Sequence, residues 1–96
     1  MARRIGLMRN LGPVTERRLA EIGIVTEEDL RATGSVEAYV RMRFVSPRGL
    51  SLNALHAMEA AILGCDWRDL DAGTKQRLNA AVDAATVRAK RPGVAR

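Results

Sequence analysis

The stretch M-R-N-L-G-P-V-T-E-R-R-L, residues 8–19, sets a Gly12-Pro13 step between two segments whose other residues suit a helix. Proline holds φ near −65° and lacks an N–H, which costs nothing at a helix start, where the first amides have no partner inside the helix. The step therefore reads as a sharp corner with a new helix leaving from Pro13. Thr15, Leu19 and Ile22 continue from it at helical spacing.

The same punctuation recurs along the chain. Arg3 to Arg9 reads as a short first helix or turn, and Gly23 ends the helix begun at Pro13. Thr26 then caps a short helix whose first turn holds Glu27, Glu28 and Asp29, where the helix dipole favours anions, and Gly34 closes it. Ser35 opens a helix with Val36, Tyr39 and Val40 on one face, running toward Phe44. Residues 43–50, R-F-V-S-P-R-G-L, read as the longest ordered loop because they contain Pro47 and Gly49. Ser51 is expected to cap a helix through Leu63 that Gly64 stops, and a last helix runs from about Ala72 to Lys90 on a stripe of Leu78, Ala81, Val82, Ala85 and Ala89. Alanines on a buried stripe imply close helix–helix approach. No strand-like alternation persists, so the fold class is all-α, a compact bundle of five or six helices.

A chain of 96 residues with 47% apolar residues supports one small core, so residues 1–90 form a single domain, with 91–96 as a frayed basic tail behind Pro92. No apolar run approaches the roughly 18 residues of a membrane span, and the N-terminus lacks a secretory apolar block. Cys65 stands alone, which suits a reducing compartment and a role as a small core hydrophobe. The expected setting is cytoplasmic, without membrane contact. The net charge of +5 comes almost wholly from arginine and points to an acidic partner, with nucleic acid the commonest. Arg3, Arg4, Arg9, Arg17 and Arg18 gather around the corner, Arg41, Arg43 and Arg48 around the loop, and Arg88, Lys90, Arg91 and Arg96 at the C-terminus.

L-G-P-x-T-x-x-x-L followed by G-I-x-T-x-x-D-L across residues 11–30 resembles a helix-hairpin-helix element. With G-S-V-E-A-Y-V-R, L-S-L-N-A-L-H-A-M-E-A-A-I-L-G-C-D-W-R-D-L and T-K-Q-R-L added in order, residues 5–80 resemble the C-terminal domain of the TfoX/Sxy competence-regulator family. The resemblance implies a helical bundle containing a hairpin related to DNA-binding ones, in a family linked to regulating natural transformation. Family regulators carry a further N-terminal domain, so this chain is expected to be the C-terminal half standing alone. In such hairpins the turn offers backbone N–H groups to a phosphate at the mouth of the second helix. Carried over by position, the DNA-binding residues are Arg9, Asn10, Gly12, Val14, Thr15, Arg17 and Arg18. Three positions depart from that pattern: Asn10 stands where glycine is usual, Val14 where a basic residue is, and Glu16 where a small one is. Asparagine tolerates the left-handed conformation, whereas Glu16 beside an anion site repels phosphate. The corner is then a packed structural turn, a phosphate contact or a site for a different ligand.

Glu59 falls among Leu52, Leu55, Ile62 and Leu63 on the fifth helix, so its carboxylate is expected to be a structural buried charge, paired with Arg41, Arg43 or Arg77 or accepting backbone N–H groups. His56 and Cys65 are too few in kind for a zinc set, and nothing nearby completes a Cys–His nucleophilic pair. Trp67, Tyr39 and Phe44 are core candidates, Trp67 plugging the gap between the last two helices. Glycine-rich phosphate loops of nucleotide enzymes are absent from the sequence. The expectation is a non-enzymatic module with no cofactor, metal or small-molecule substrate, contacting duplex DNA weakly and without sequence preference. The alternative is a protein-interaction or homodimerisation module, marked by an exposed apolar patch near Val45, Leu50 or Leu52.

Overall fold

A computed structural model describes residues 4–8 and 10–90. Within them a 3-10 turn at Ile5–Leu7 leads into α1 (Pro13–Ala20), α2 (Glu27–Thr33), α3 (Ser35–Val45), α4 (Leu52–Leu63), a second 3-10 turn at Trp67–Asp69, and α5 (Ala72–Lys90). The described chain is all-α, as its periodicity requires; Arg4 and Thr26 form an isolated antiparallel bridge that ties the N-terminal strand of backbone to the cap of α2. The expected tail 91–96 lies outside the described residues.

Local chemistry sets the boundaries. Gly23 takes φ 85°, and beside it the Ile24 amide reaches back to the Leu19 carbonyl at 2.9 Å while Gly23 N–H bonds Ala20. That paired pattern closes α1 and needs a residue at positive φ, which glycine adopts without strain. At α2 the Asp29 amide donates to Thr26 Oγ1 at 3.2 Å, and the Asp29 carboxylate accepts from the Val25 and Thr26 amides at 3.1 Å each. This reciprocal cap accounts for the acidic first turn. Asp71 serves α5 similarly, accepting from the Thr74 amide at 2.7 Å. Ser51 occupies the N-cap position of α4, but its side chain makes no capping bond, contrary to expectation.

Helix α3 is the hub, packing against α1, α2, α4 and α5. The core is built from Ile5, Leu19, Ile24, Leu30, Leu55, Met58 and Val82, all fully buried. Removing such a side chain from water contributes about 1.5–3 kcal/mol. Ala38, Ala61 and Ala85 are also in this cluster, and their small size lets α3, α4 and α5 approach closely.

Four expectations about packing are corrected. Phe44 is 54% exposed, because α3 continues to Val45 and Phe44 sits about 200° round the helix from the buried Met42. Ala81 is exposed on α5, one position off the Leu78, Val82, Ala85 stripe. Cys65 is only half-buried, since it follows the left-handed Gly64 in the turn beyond α4. Trp67 remains 37% exposed, with the Lys75 ammonium 5.8 Å from its ring centre, so it covers the α4–α5 turn instead of plugging a gap.

Candidate nucleic-acid interface

The corner is made by Asn10, Gly12 and Pro13. Asn10 takes φ 73° among the described residues as the one non-glycine at positive φ, and its short polar side chain makes that conformation tolerable. The same side chain is fixed at both ends of its amide: Nδ2 donates to the Cys65 carbonyl at 2.8 Å, and Oδ1 accepts from the Trp67 amide at 3.2 Å. Glycine at this position would allow the backbone angle but supply neither bond. Asn10 thus bolts the corner to the turn between α4 and α5. A local reading of the sequence could not find these partners, which lie 55 and 57 residues away.

Gly12 is the N-cap of α1 with Pro13 at the first helical position, and no side chain caps the helix. The first helical bond runs from the Glu16 amide to the Gly12 carbonyl at 3.0 Å. Val14 is 62% exposed and Thr15 half-buried. No side chain of the described residues accepts from the Gly12, Val14 or Thr15 amides, so the positive end of the α1 dipole opens on solvent.

Glu16 does not lie across that opening. Its carboxylate turns back to the first 3-10 turn, where Arg4 donates through Nε at 3.1 Å and through a terminal nitrogen at 3.0 Å. The Arg4 hydrogen bonds, followed by one from the Gly6 amide, hold the Glu16 carboxyl below its ordinary value. A Cβ at Gly6 would stand 2.8 Å from Glu16 Oε1, so glycine leaves the carboxylate room in this position, and a larger residue would push the flexible Glu16 side chain aside. The pairing neutralises the acid beside the mouth and also consumes Arg4. Gly6 carried no signal in the sequence, because its role depends on a side chain ten residues away.

The arginine pair divides. Arg17 is exposed and has no partner among the described residues. Arg18 instead reaches the loop after α3, donating to the Ser46 carbonyl at 3.4 Å and the Arg48 carbonyl at 2.6 Å. It staples residues 46–49 to α1 and brings Arg48 beside it. Arg9 lies outside the described residues. Of the seven residues carried over by position, Gly12, Val14 and Thr15 lie at the start of α1, Arg17 is exposed in its last turn, and Asn10 and Arg18 bind other parts of the fold.

Glu59 is half-buried, and its partner is the Ser35 hydroxyl at 2.7 Å instead of an arginine. Leu52 and Leu63 prove exposed and the buried face centres on Leu55, Met58 and Ala61, which leaves Glu59 at its edge facing the start of α3. Arg41 pairs with Glu37, Arg43 lies over the Tyr39 ring and Arg77 bonds Thr74. His56 is buried and joins Asn79 of α5 at 3.0 Å. Among the described residues no group of three or more His, Cys, Asp or Glu side chains could hold a metal, and no helix is long and apolar enough to cross a membrane.

The model of the TfoX C-terminal domain matches residues 1–82. The chain belongs to this family. Among solved structures, this TfoX C-terminal domain is similar to an uncharacterised protein from Listeria monocytogenes in a triclinic crystal form, at 29% identity and TM-score 0.77, over 85% of this chain and 92% of that one. A tetragonal form of a Listeria monocytogenes protein of unknown function matches at 30% identity and TM-score 0.75, over 82% of this chain and 96% of that one. No curated protein matches the TfoX C-terminal domain described here.

Proposed function

We propose that this TfoX C-terminal domain is a binding module that contacts duplex DNA weakly and without sequence preference, through the mouth of α1. The observation that carries the reading is the uncapped helix start, held rigid by the Asn10 bonds and cleared of negative charge by the Arg4–Glu16 pair. Backbone amides in that position donate to any phosphate, so they give affinity without reading bases. Arg17 supplies unspent charge at the edge, and the chain's net +5 draws a polyanion toward it. Competence regulation, which the family resemblance implies, would then act from a regulator placed on cytoplasmic DNA.

The contact is small, so its salt dependence is diagnostic. Titrating labelled duplex at rising ionic strength is expected to give a slope of about −1 to −2 in log K against log salt, as for one or two neutralised phosphates. Arg17→Glu abolishes this binding and leaves the melting temperature in place, because Arg17 makes no contact that the fold needs. Binding that ignores salt, or survives Arg17→Glu, would overturn the assignment. A second reading, docking onto protein, is favoured by a separate observation: Phe44, Val45 and Leu52 are 54%, 58% and 41% exposed around the loop.

A further inference from the structure

Between α3, the loop 46–51 and α5 runs an open groove with Val40, Tyr39, Pro47, Leu50 and Val82 along its walls. Phe44 and Leu52 on its lining are 54% and 41% exposed, and Val87, one helical turn beyond Asp83 on α5, is 60% exposed. Two charges border the same groove from opposite sides, Arg43 on α3 and Asp83 on α5. Both are exposed, and neither forms an ion pair among the described residues; Arg43 only lies over the Tyr39 ring, 5.9 Å from its centre. On the groove's inner side the Thr86 hydroxyl oxygen is buried without a hydrogen-bond partner.

We infer that this groove is the contact face for a second copy of the chain, related by a two-fold axis. A two-fold interface must be complementary to itself, because residue i of one copy meets residue j of the other and the reverse contact follows. A surface with one unpaired cation and one unpaired anion flanking an apolar centre meets that demand. Arg43 of each copy reaches Asp83 of the other, so the ion pair forms twice while the centre closes over Phe44. The protruding Phe44 ring beside a groove of matching apolar character supplies the anchor that interface cores require. This inference goes beyond the nucleic-acid reading and uses none of the residues at the α1 mouth.

Sedimentation equilibrium from micromolar to millimolar protein tests it. The wild-type chain is expected to associate to a dimer as concentration rises, and Phe44→Asp to hold it monomeric. Arg43→Asp alone and Asp83→Arg alone each weaken association by about tenfold or more, and the two together restore it. Phe44, Arg43 and Asp83 are all exposed, and thermal melting of each variant shows whether the fold is intact. Should Phe44→Asp unfold the chain, Val87→Glu on α5 makes the same test. A chain that stays monomeric at millimolar concentration overturns the inference. So does a dimer that persists in both apolar variants, or a double charge exchange that fails to recover association.

Discussion

The corner at residues 10–13 and the loop at 46–51 each join two elements with a few residues, yet they are built in opposite ways. At the corner, polar side chains reach across the fold: Asn10 to the turn at 65–67, Glu16 back to Arg4 and Gly6. What remains open there is backbone, held in one geometry. At the loop the main chain is stapled by Arg18, and what faces solvent is apolar side chain, Val45 and Leu52 with Phe44 just before them. A rigid open backbone suits an anion, whose recognition depends on fixed donors. An exposed apolar rim suits a surface that must be removed from water. One small domain therefore presents two unlike faces, and the contrast can be broken one residue at a time.

The largest effect is expected at Asn10. Asn10→Ala loses two hydrogen bonds and places alanine at positive φ, a combined cost of about 2 kcal/mol in urea unfolding. Asn10→Gly recovers the backbone share, so roughly half of that loss should return. Equal losses in the two variants would mean that the side-chain bonds carry everything and that the left-handed angle carries nothing.

A middle effect concerns acid. The Val25 and Thr26 amides hold the Asp29 carboxyl below its ordinary value of 3.8, and the Thr74 amide does the same for Asp71. The folded state binds these protons more weakly than the unfolded state does, so the stabilisation is whole above the ordinary values and drains as pH falls through the lowered ones. Stability measured between neutral pH and pH 2 should be flat at first and then decline. Asp29→Asn should shallow that decline, and an unchanged slope would show that the cap titrates no differently on folding.

The smallest effect belongs to the loop. Phe44→Ser should cost about 1 kcal/mol or less, since about half of the residue is in water already. A loss of several kcal/mol would show that Phe44 is core after all and would remove the contrast between the two regions.

The helices were legible because their ends are marked locally. Pro13, Gly23, Thr26, Gly34 and Gly64 each do at a boundary what their covalent chemistry requires, and that chemistry acts within a few residues. The site was legible in outline for the same reason, since Gly12-Pro13 leaves a helix start without a cap. Its supports were not. Locally Asn10 shows only a residue that tolerates a turn, whereas its side-chain partners Cys65 and Trp67 lie more than fifty residues away. Arg17 and Arg18 are adjacent and alike in sequence, and only packing decides that one stays free while the other staples a loop. Glu59 shows the same limit: apolar spacing placed it on the buried face, and a shift of that face toward Met58 left it beside Ser35. Phe44 escapes local reading because the helix outlasts the start of the loop that Pro47 and Gly49 suggest, which turns the ring outward.

The open backbone at α1 is tested most directly by following amide resonances during titration with a short duplex at low salt. The largest shifts should fall on the Gly12, Val14 and Thr15 amides, and should disappear together when salt is raised. Shifts confined to residues 43–52, or none at all, would contradict it.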